Sequence, residues 1–355
     1  MSPDPQPNGA ASAFLPRDAV RAFYSGHSLS DGIPEVVAQL AQQKGQPFLF
    51  EFQSVGYSLL RDRTAGPSPG ARAWTGYQTG KNSQGEGLDV ARELATPTRL
   101  PDGLRYNALV VTERHDLPEV AATMQTATYL VDFARRARLG NPDTAVLFYH
   151  VWMPIDLSDP LRWVHYERSI RRLWECVASR ANMQLRKEGA TGQDVLVLPG
   201  ATALAALVEA LYRDQVPGLP GMSARQRVTL LFADNVHLSS LGTYFMGLVH
   251  YAALFGQSPA PGSAPGVAAE TAAFFARLAS EHVTAYGRVA AVAATREMEA
   301  CRAFAERESC ELFSALAPPA GVLGYLKYRL RRFRCWQLYQ PSSPVNPFAD
   351  RDPGA

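Results

Sequence analysis

Two short segments far apart in the chain hold side chains that could cooperate in nucleophilic chemistry. One is Gly26-His27-Ser28-Leu29-Ser30-Asp31, the other Asp234-Asn235-Val236-His237. A serine hydroxyl attacks a carbonyl only when a base takes its proton during the attack. An imidazole serves as that base when one ring nitrogen faces the hydroxyl and an acceptor holds the other. A carboxylate three residues before a histidine can reach Nδ1, so Asp234 and His237 supply both parts within one turn, leaving Ser28 as nucleophile. Acyl transfer also needs donors for the negative charge that develops on the substrate oxygen, and losing one typically costs about 3–4 kcal/mol. The backbone N–H groups of Ser28 and Gly56 are candidates, because glycine allows close approach to the main chain. Each residue also has an ordinary reading. Ser28 could cap a helix, Asp234 and Gly56 could shape turns, and His237 could sit at a helix entrance.

The elements that must position these groups follow from the apolar patterning. Strands are predicted at Ala19–Tyr24, Pro47–Phe52, Tyr106–Thr112, Thr144–Trp152, Asp194–Leu198 and Val228–Phe232. Helical spacing runs between them at Ile33–Gln43, Glu119–Arg138, Pro160–Arg186 and Ala201–Asp214. This alternation implies a parallel sheet in a three-layer α/β/α sandwich. Such sheets bind ligands beyond the carboxyl ends of their strands. Ser28, Gly56, the segment Glu113-Arg114-His115-Asp116 and the Asp234–His237 turn each follow a predicted strand. Residues 1–17, rich in Pro, Gly and Asn, are expected to be disordered, and 18–256 to form the main domain. A Pro/Gly/Ser linker at 257–267, appended helices at 268–340 and a disordered tail at 341–355 complete the organisation. The polar stretch Arg63–Glu93, with Trp74, Tyr77 and Lys81-Asn82, is too long for a passive connection and is a candidate substrate-side loop.

Gly26-His27-Ser28-Leu29 resembles the first block of the SGNH (GDSL-type) hydrolases, with His27 where that family usually has Asp. Gly56 falls where the family's oxyanion glycine is expected. Asp234-x-x-His237, followed by Leu238-Ser239-Ser240-Leu241-Gly242, is similar to its terminal block. The third block departs from the pattern: His115 occupies the place of the oxyanion-binding Asn, and an imidazole N–H could substitute. The likeness covers about residues 19–256, is nearest to the divergent bacterial branch, and leaves the C-terminal helices outside. No Gly-x-Ser-x-Gly surrounds Ser28, which argues against the α/β-hydrolase fold. The resemblance implies a flavodoxin-like fold and a serine esterase acting on a small acyl ester, typically an acetyl group on carbohydrate, without a cofactor. His27, Glu113 and Arg114 are then candidates for the substrate pocket, and Trp74 or Tyr77 for stacking on a sugar. Acyl transfer to a sugar hydroxyl by the same triad, and a non-catalytic module that binds a glycan or a partner, are the rivals.

The bulk numbers narrow the remaining classes. The 355 residues are 46% hydrophobic with a net charge of only +2, so no global field argues for nucleic acid. Cys176, Cys301, Cys310 and Cys335 lack zinc-site spacing, no histidine pair suggests a metal, and reduced, buried thiols are expected. The polar N-terminus shows no signal peptide, and the apolar stretch Tyr244–Phe255 is short of the roughly 20 residues of a membrane helix. The expectation is cytoplasmic by default, or secreted if a leader lies outside this sequence. His150, His165, His250 and His282 read as structural or solvated, and Glu167, Arg168, Arg171 and Arg172 as a charged helix surface. The segment Lys327–Trp336 mixes basic and aromatic residues; it reads either as a solvated face or as a peripheral contact with an anionic membrane.

Overall fold

A computed structural model of the chain describes residues 12–66, 74–260, 266–292, 297–316 and 321–349. The chain runs through β1 (Val20–Gly26), α1 (Ile33–Gln43), β2 (Phe48–Ser54), α2 (Val90–Ala95), β3 (Ala108–Thr112), α3 (Leu117–Thr123), α4 (Thr126–Gly140), β4 (Ala145–Tyr149) and α5 (Pro160–Lys187). It continues through β5 (Leu196–Leu198), α6 (Gly200–Tyr212), α7 (Ala224–Thr229), α8 (Ser240–Phe255) and α9 (Ala269–Val292). The C-terminal part adds α10 (Met298–Phe304), α11 (Cys310–Ala315) and α12 (Gly321–Leu338).

All five strands are parallel in the order β2-β1-β3-β4-β5. Every residue of β3 and β4 is buried, as expected for strands covered on both faces. The two faces can be read from alternate side chains. Tyr24 of β1 and Tyr149 of β4 pack on His250 of α8, whereas Phe148 packs on Trp174 of α5. On the edge strand β2, Phe48, Phe50 and Phe52 stack in a row, and Phe48 continues onto Phe255 of α8. Helix α8 is buried almost all round because α1 and α9 both pack against it. Gly247 makes the first contact possible, since a Cβ there would stand 2.3 Å from the Val36 side chain. The architecture is the expected three-layer α/β/α sandwich with added C-terminal helices.

Several expectations are corrected. Val228–Phe232 is no sixth strand; it is the end of α7 and the turn after it, because Ser223 and Gln226 form a capping box that starts a helix there. The pattern at Glu119–Arg138 is two helices, broken at Gln125, whose φ of 52° is left-handed. Residues 12–17 are packed: Phe14 is buried and the Arg17 N–H donates to the Phe255 carbonyl. Likewise Phe348 is buried against Tyr339 and Asn346 donates to the Tyr339 carbonyl, so 341–349 is no loose tail. Residues 1–11, 261–265 and 350–355 of the expected disordered and linker segments lie outside the described residues, as do 67–73 of the polar loop. Glu167 is buried in α5, its carboxylate accepting from the Met153 N–H; it is no part of a charged surface. Burial raises its pKa well above the usual range and lowers that of the neighbouring His150.

The cysteines are also not reduced. Cys176 of α5 bonds to Cys301 of α10, and Cys310 of α11 to Cys335 of α12. The first closes a sequence separation of 125 residues and the second one of 25. Constraining the unfolded chain this way stabilises the fold by about 3–5 kcal/mol per bridge. Reductant is expected to lower the urea midpoint markedly. Thiol titration of the denatured protein should find no free thiol before reduction; four reactive thiols there would refute the pairing.

Candidate active site

The chain leaves β1 on one side to form β2 and returns on the other to form β3, so a crevice opens past the carboxyl end of β1. Ser28 stands there, first residue of a 3-10 turn over Ser28–Ser30. Gly26 permits that turn, because a Cβ would come within 2.4 Å of the Ser30 hydroxyl. The second half of the site is a tight loop, closed by the Ala233 N–H donating to the His237 carbonyl and by a bridge between Phe232 and Leu238. Two groups past β4 hold it in place. The Trp152 indole donates to the Val236 carbonyl at 2.8 Å, and the Ile155 N–H donates to the Asn235 carbonyl at 2.7 Å.

This scaffold brings together the three residues expected from the sequence. Ser28 Oγ lies 3.0 Å from His237 Nε2, and His237 Nδ1 lies 2.7 Å from Asp234 Oδ2. The other carboxylate oxygen accepts from the N–H groups of Val236 and His237. Those donors, together with the imidazole, hold the Asp234 pKa down at about 2. The carboxylate therefore stays ionised and fixes a proton on Nδ1, which turns the Nε2 lone pair toward Ser28. The site is open to solvent: the His237 and Asp234 side chains are 46% and 52% exposed.

The remaining expected residues divide. Ser28 and Gly56 each present a backbone N–H with no acceptor among the described hydrogen bonds, and the space above Gly56 is open. His115 is half-buried past β3, its pKa lowered chiefly by that burial, and no described hydrogen bond ties it to Ser28 or His237. His27 does not line the pocket. It is buried, its Nδ1 accepts from the Leu29 N–H, and its Nε2 meets the Glu113 carbonyl at 3.3 Å. Burial first, and then Arg63, push its pKa down to about 3, so the ring is neutral. Glu113 is equally unavailable to substrate. Its buried carboxylate accepts from the N–H groups of Leu60 and Arg114 and from the Thr126 hydroxyl, while burial raises its pKa. Arg114 forms a two-pronged pair with Asp116 and lies 5.0 Å over the ring of Tyr57. Trp74 packs edge-on against Tyr129 of α4. Tyr77 is buried, donating its hydroxyl to Asp132.

Two further residues stand beside these groups. Tyr57, beside Gly56, is exposed with a left-handed φ of 57°. Arg63 is wholly buried beneath the site. It donates to the Ser25 hydroxyl at 3.1 Å, the Ser58 hydroxyl at 2.7 Å and the Thr112 carbonyl. Among the described residues no cluster of His, Cys, Asp or Glu could hold a metal ion.

No protein-family profile matches this chain, and no curated protein matches it. Among solved structures, a DUF4886 family protein from Bacteroides uniformis ATCC 8492 is similar at 14% identity, with a TM-score of 0.48, over 75% of this chain and 95% of that one.

Proposed function

We propose that the protein is a serine hydrolase of the SGNH type that cleaves a small acyl ester, with acetyl esters of carbohydrate as the substrate class. The observation that carries this reading is the continuous relay from Ser28 Oγ through His237 to Asp234, at 3.0 and 2.7 Å. Ser28 Oγ attacks the ester carbonyl as Nε2 of His237 takes its proton. The N–H groups of Ser28 and Gly56, joined by His115, receive the oxyanion. The intermediate collapses as Nε2 returns the proton to the leaving alcohol, which leaves an acyl group on Ser28. Water, deprotonated by the same nitrogen, then releases the acid and restores the serine. The exposure of Asp234 and His237 favours hydrolysis over transfer to a sugar hydroxyl, because transfer requires water to be kept out. Exposed Tyr57, with Arg114 against its ring, offers a stacking surface for a sugar. The paired cysteines suit an oxidising compartment rather than the cytoplasm.

A serine-directed phosphonate tests the assignment. Wild type should take up one label on Ser28; Ser28→Ala and His237→Ala should take up none. Equal labelling of wild type and Ser28→Ala would sink it and leave a binding module as the reading.

A further inference from the structure

We infer that α12 docks the protein on an anionic membrane surface by laying an outward apolar stripe into the boundary between headgroups and acyl chains. Residues three or four apart share one face of a helix. Val322, Leu326, Leu330 and Phe333 follow that spacing and lie on the side opposite Cys335, the one buried residue of the helix. Their exposure is unusual for such side chains: 78% at Val322, 57% at Leu326 and 51% at Phe333. Leu323, beside them, is exposed as well.

Cations flank the stripe on both sides. Lys327 and Arg334 share one flank, Arg329 and Arg332 the other, while Arg331 lies farther round toward Cys335, over the ring of Phe313; the helix contains no Asp or Glu. Opposing charge comes from neighbouring elements. Glu311 pairs with Arg332 at 2.7 Å and accepts from the Tyr328 hydroxyl, Glu306 accepts from the Trp336 indole at 3.2 Å, and Glu119 of α3 lies near Arg331 and Arg334. An apolar line with basic borders is the arrangement of a helix lying in a membrane interface, where long basic side chains reach back to the phosphates. A second copy of this chain fits less well, because pairing the same face with itself would set cations against cations.

The inner side of α12 is anchored, so the outer side stays presented. Cys335 is bonded to Cys310, and the Tyr339 hydroxyl just past the helix donates to the Pro118 carbonyl at 2.8 Å. Among the described residues no helix is long and apolar enough to cross a membrane, so this contact would be peripheral.

Sedimentation with vesicles tests the proposal independently of any esterase activity. Wild type is expected to bind vesicles of phosphatidylglycerol mixed with phosphatidylcholine, and to stay in solution with phosphatidylcholine alone. Each cation near an anionic surface contributes about fivefold in partitioning, so the triple variant Lys327→Gln, Arg329→Gln, Arg334→Gln should lose about a hundredfold. Leu326→Glu with Leu330→Glu should lose more than about tenfold while keeping the wild-type thermal melt, because both positions face solvent. Failure of the wild type to bind anionic vesicles overturns the proposal. So does unchanged binding by the stripe variant, which would reduce the contact to charge alone. A concentration-dependent dimer that Leu326→Glu dissolves, in a protein that ignores vesicles, would assign the stripe to a second copy instead.

Discussion

Replacing Ser28 or His237 by alanine is expected to lower kcat on a chromogenic acetyl ester by about 10⁴- to 10⁶-fold, with the double variant no worse than either single. Non-additivity is the sharper part of this expectation. If the hydroxyl and the imidazole act as one unit, removing either abolishes the route, and the second removal has nothing left to take. Multiplying losses would mean that the two groups act separately, against the 3.0 Å contact between them. Asp234→Asn should keep the loop, because an amide oxygen can still accept from the Val236 and His237 N–H groups. Its NH₂ would then face Nδ1 and drive the ring proton to Nε2, the wrong tautomer for taking a proton from Ser28. A loss of about 10³- to 10⁴-fold follows. The pH profile separates this from simple charge loss. With its pKa depressed to about 2, the Asp234 carboxylate is ionised throughout pH 4–9. It therefore contributes no titration of its own in that window, and the asparagine variant should stay impaired across it. A deficit that vanishes toward pH 4 would show that Asp234 titrates within the working range.

What could be seen before the structure was mostly local. Asp234 and His237 are three residues apart, so their pairing needs only one turn, and α1 spans the residues that its apolar spacing marks. The structure departs from the apolar pattern where tertiary packing or a helix cap decides the outcome. The run Val228–Phe232 is apolar enough for a buried strand, but Ser223 and Gln226 stand at capping-box spacing and favour the helix. Gln125 carries no sign of a left-handed break in an otherwise periodic segment. The bond between Cys176 and Cys301 joins residues whose approach depends on α5 meeting α10. His27 and Glu113 flank residues of the site in sequence, and adjacency made them look like pocket residues. Both turn inward to buried partners, His27 to the Leu29 N–H and the Glu113 carbonyl, Glu113 to the Leu60 and Arg114 N–H groups and the Thr126 hydroxyl. Arg63 opens a polar stretch that reads as solvent-facing; only the assembled loops show why it is buried.

That arginine is a position where substitution should cost the fold heavily. Its guanidinium reaches Ser25 at the end of β1, Ser58 just after Gly56, and Thr112 at the end of β3. One planar group thus ties the segments that carry Ser28, Gly56 and His115. Burial lowers its pKa to about 10 while Glu113 and Asp62 oppose the shift, so the group stays charged at neutral pH. Arg63→Met would remove a cation whose field the buried Glu113 carboxylate feels and leave the three partners without that donor. Each buried hydrogen-bonding group left unpaired costs about 1–3 kcal/mol. The loss should appear as a lower urea midpoint at unchanged slope. Adding Glu113→Gln should recover part of it, because the orphaned charge is removed along with its partner. Arg63→Lys keeps the charge but supplies a single point donor where three directions are needed, so its stability should fall between the two. The same series reads out positioning. If the guanidinium sets the oxyanion groups, kcat on the acetyl ester falls in Arg63→Met at temperatures where the variant remains folded, and Lys restores it in part. A midpoint within about 1 kcal/mol of wild type would mean that the three loops hold their places without it.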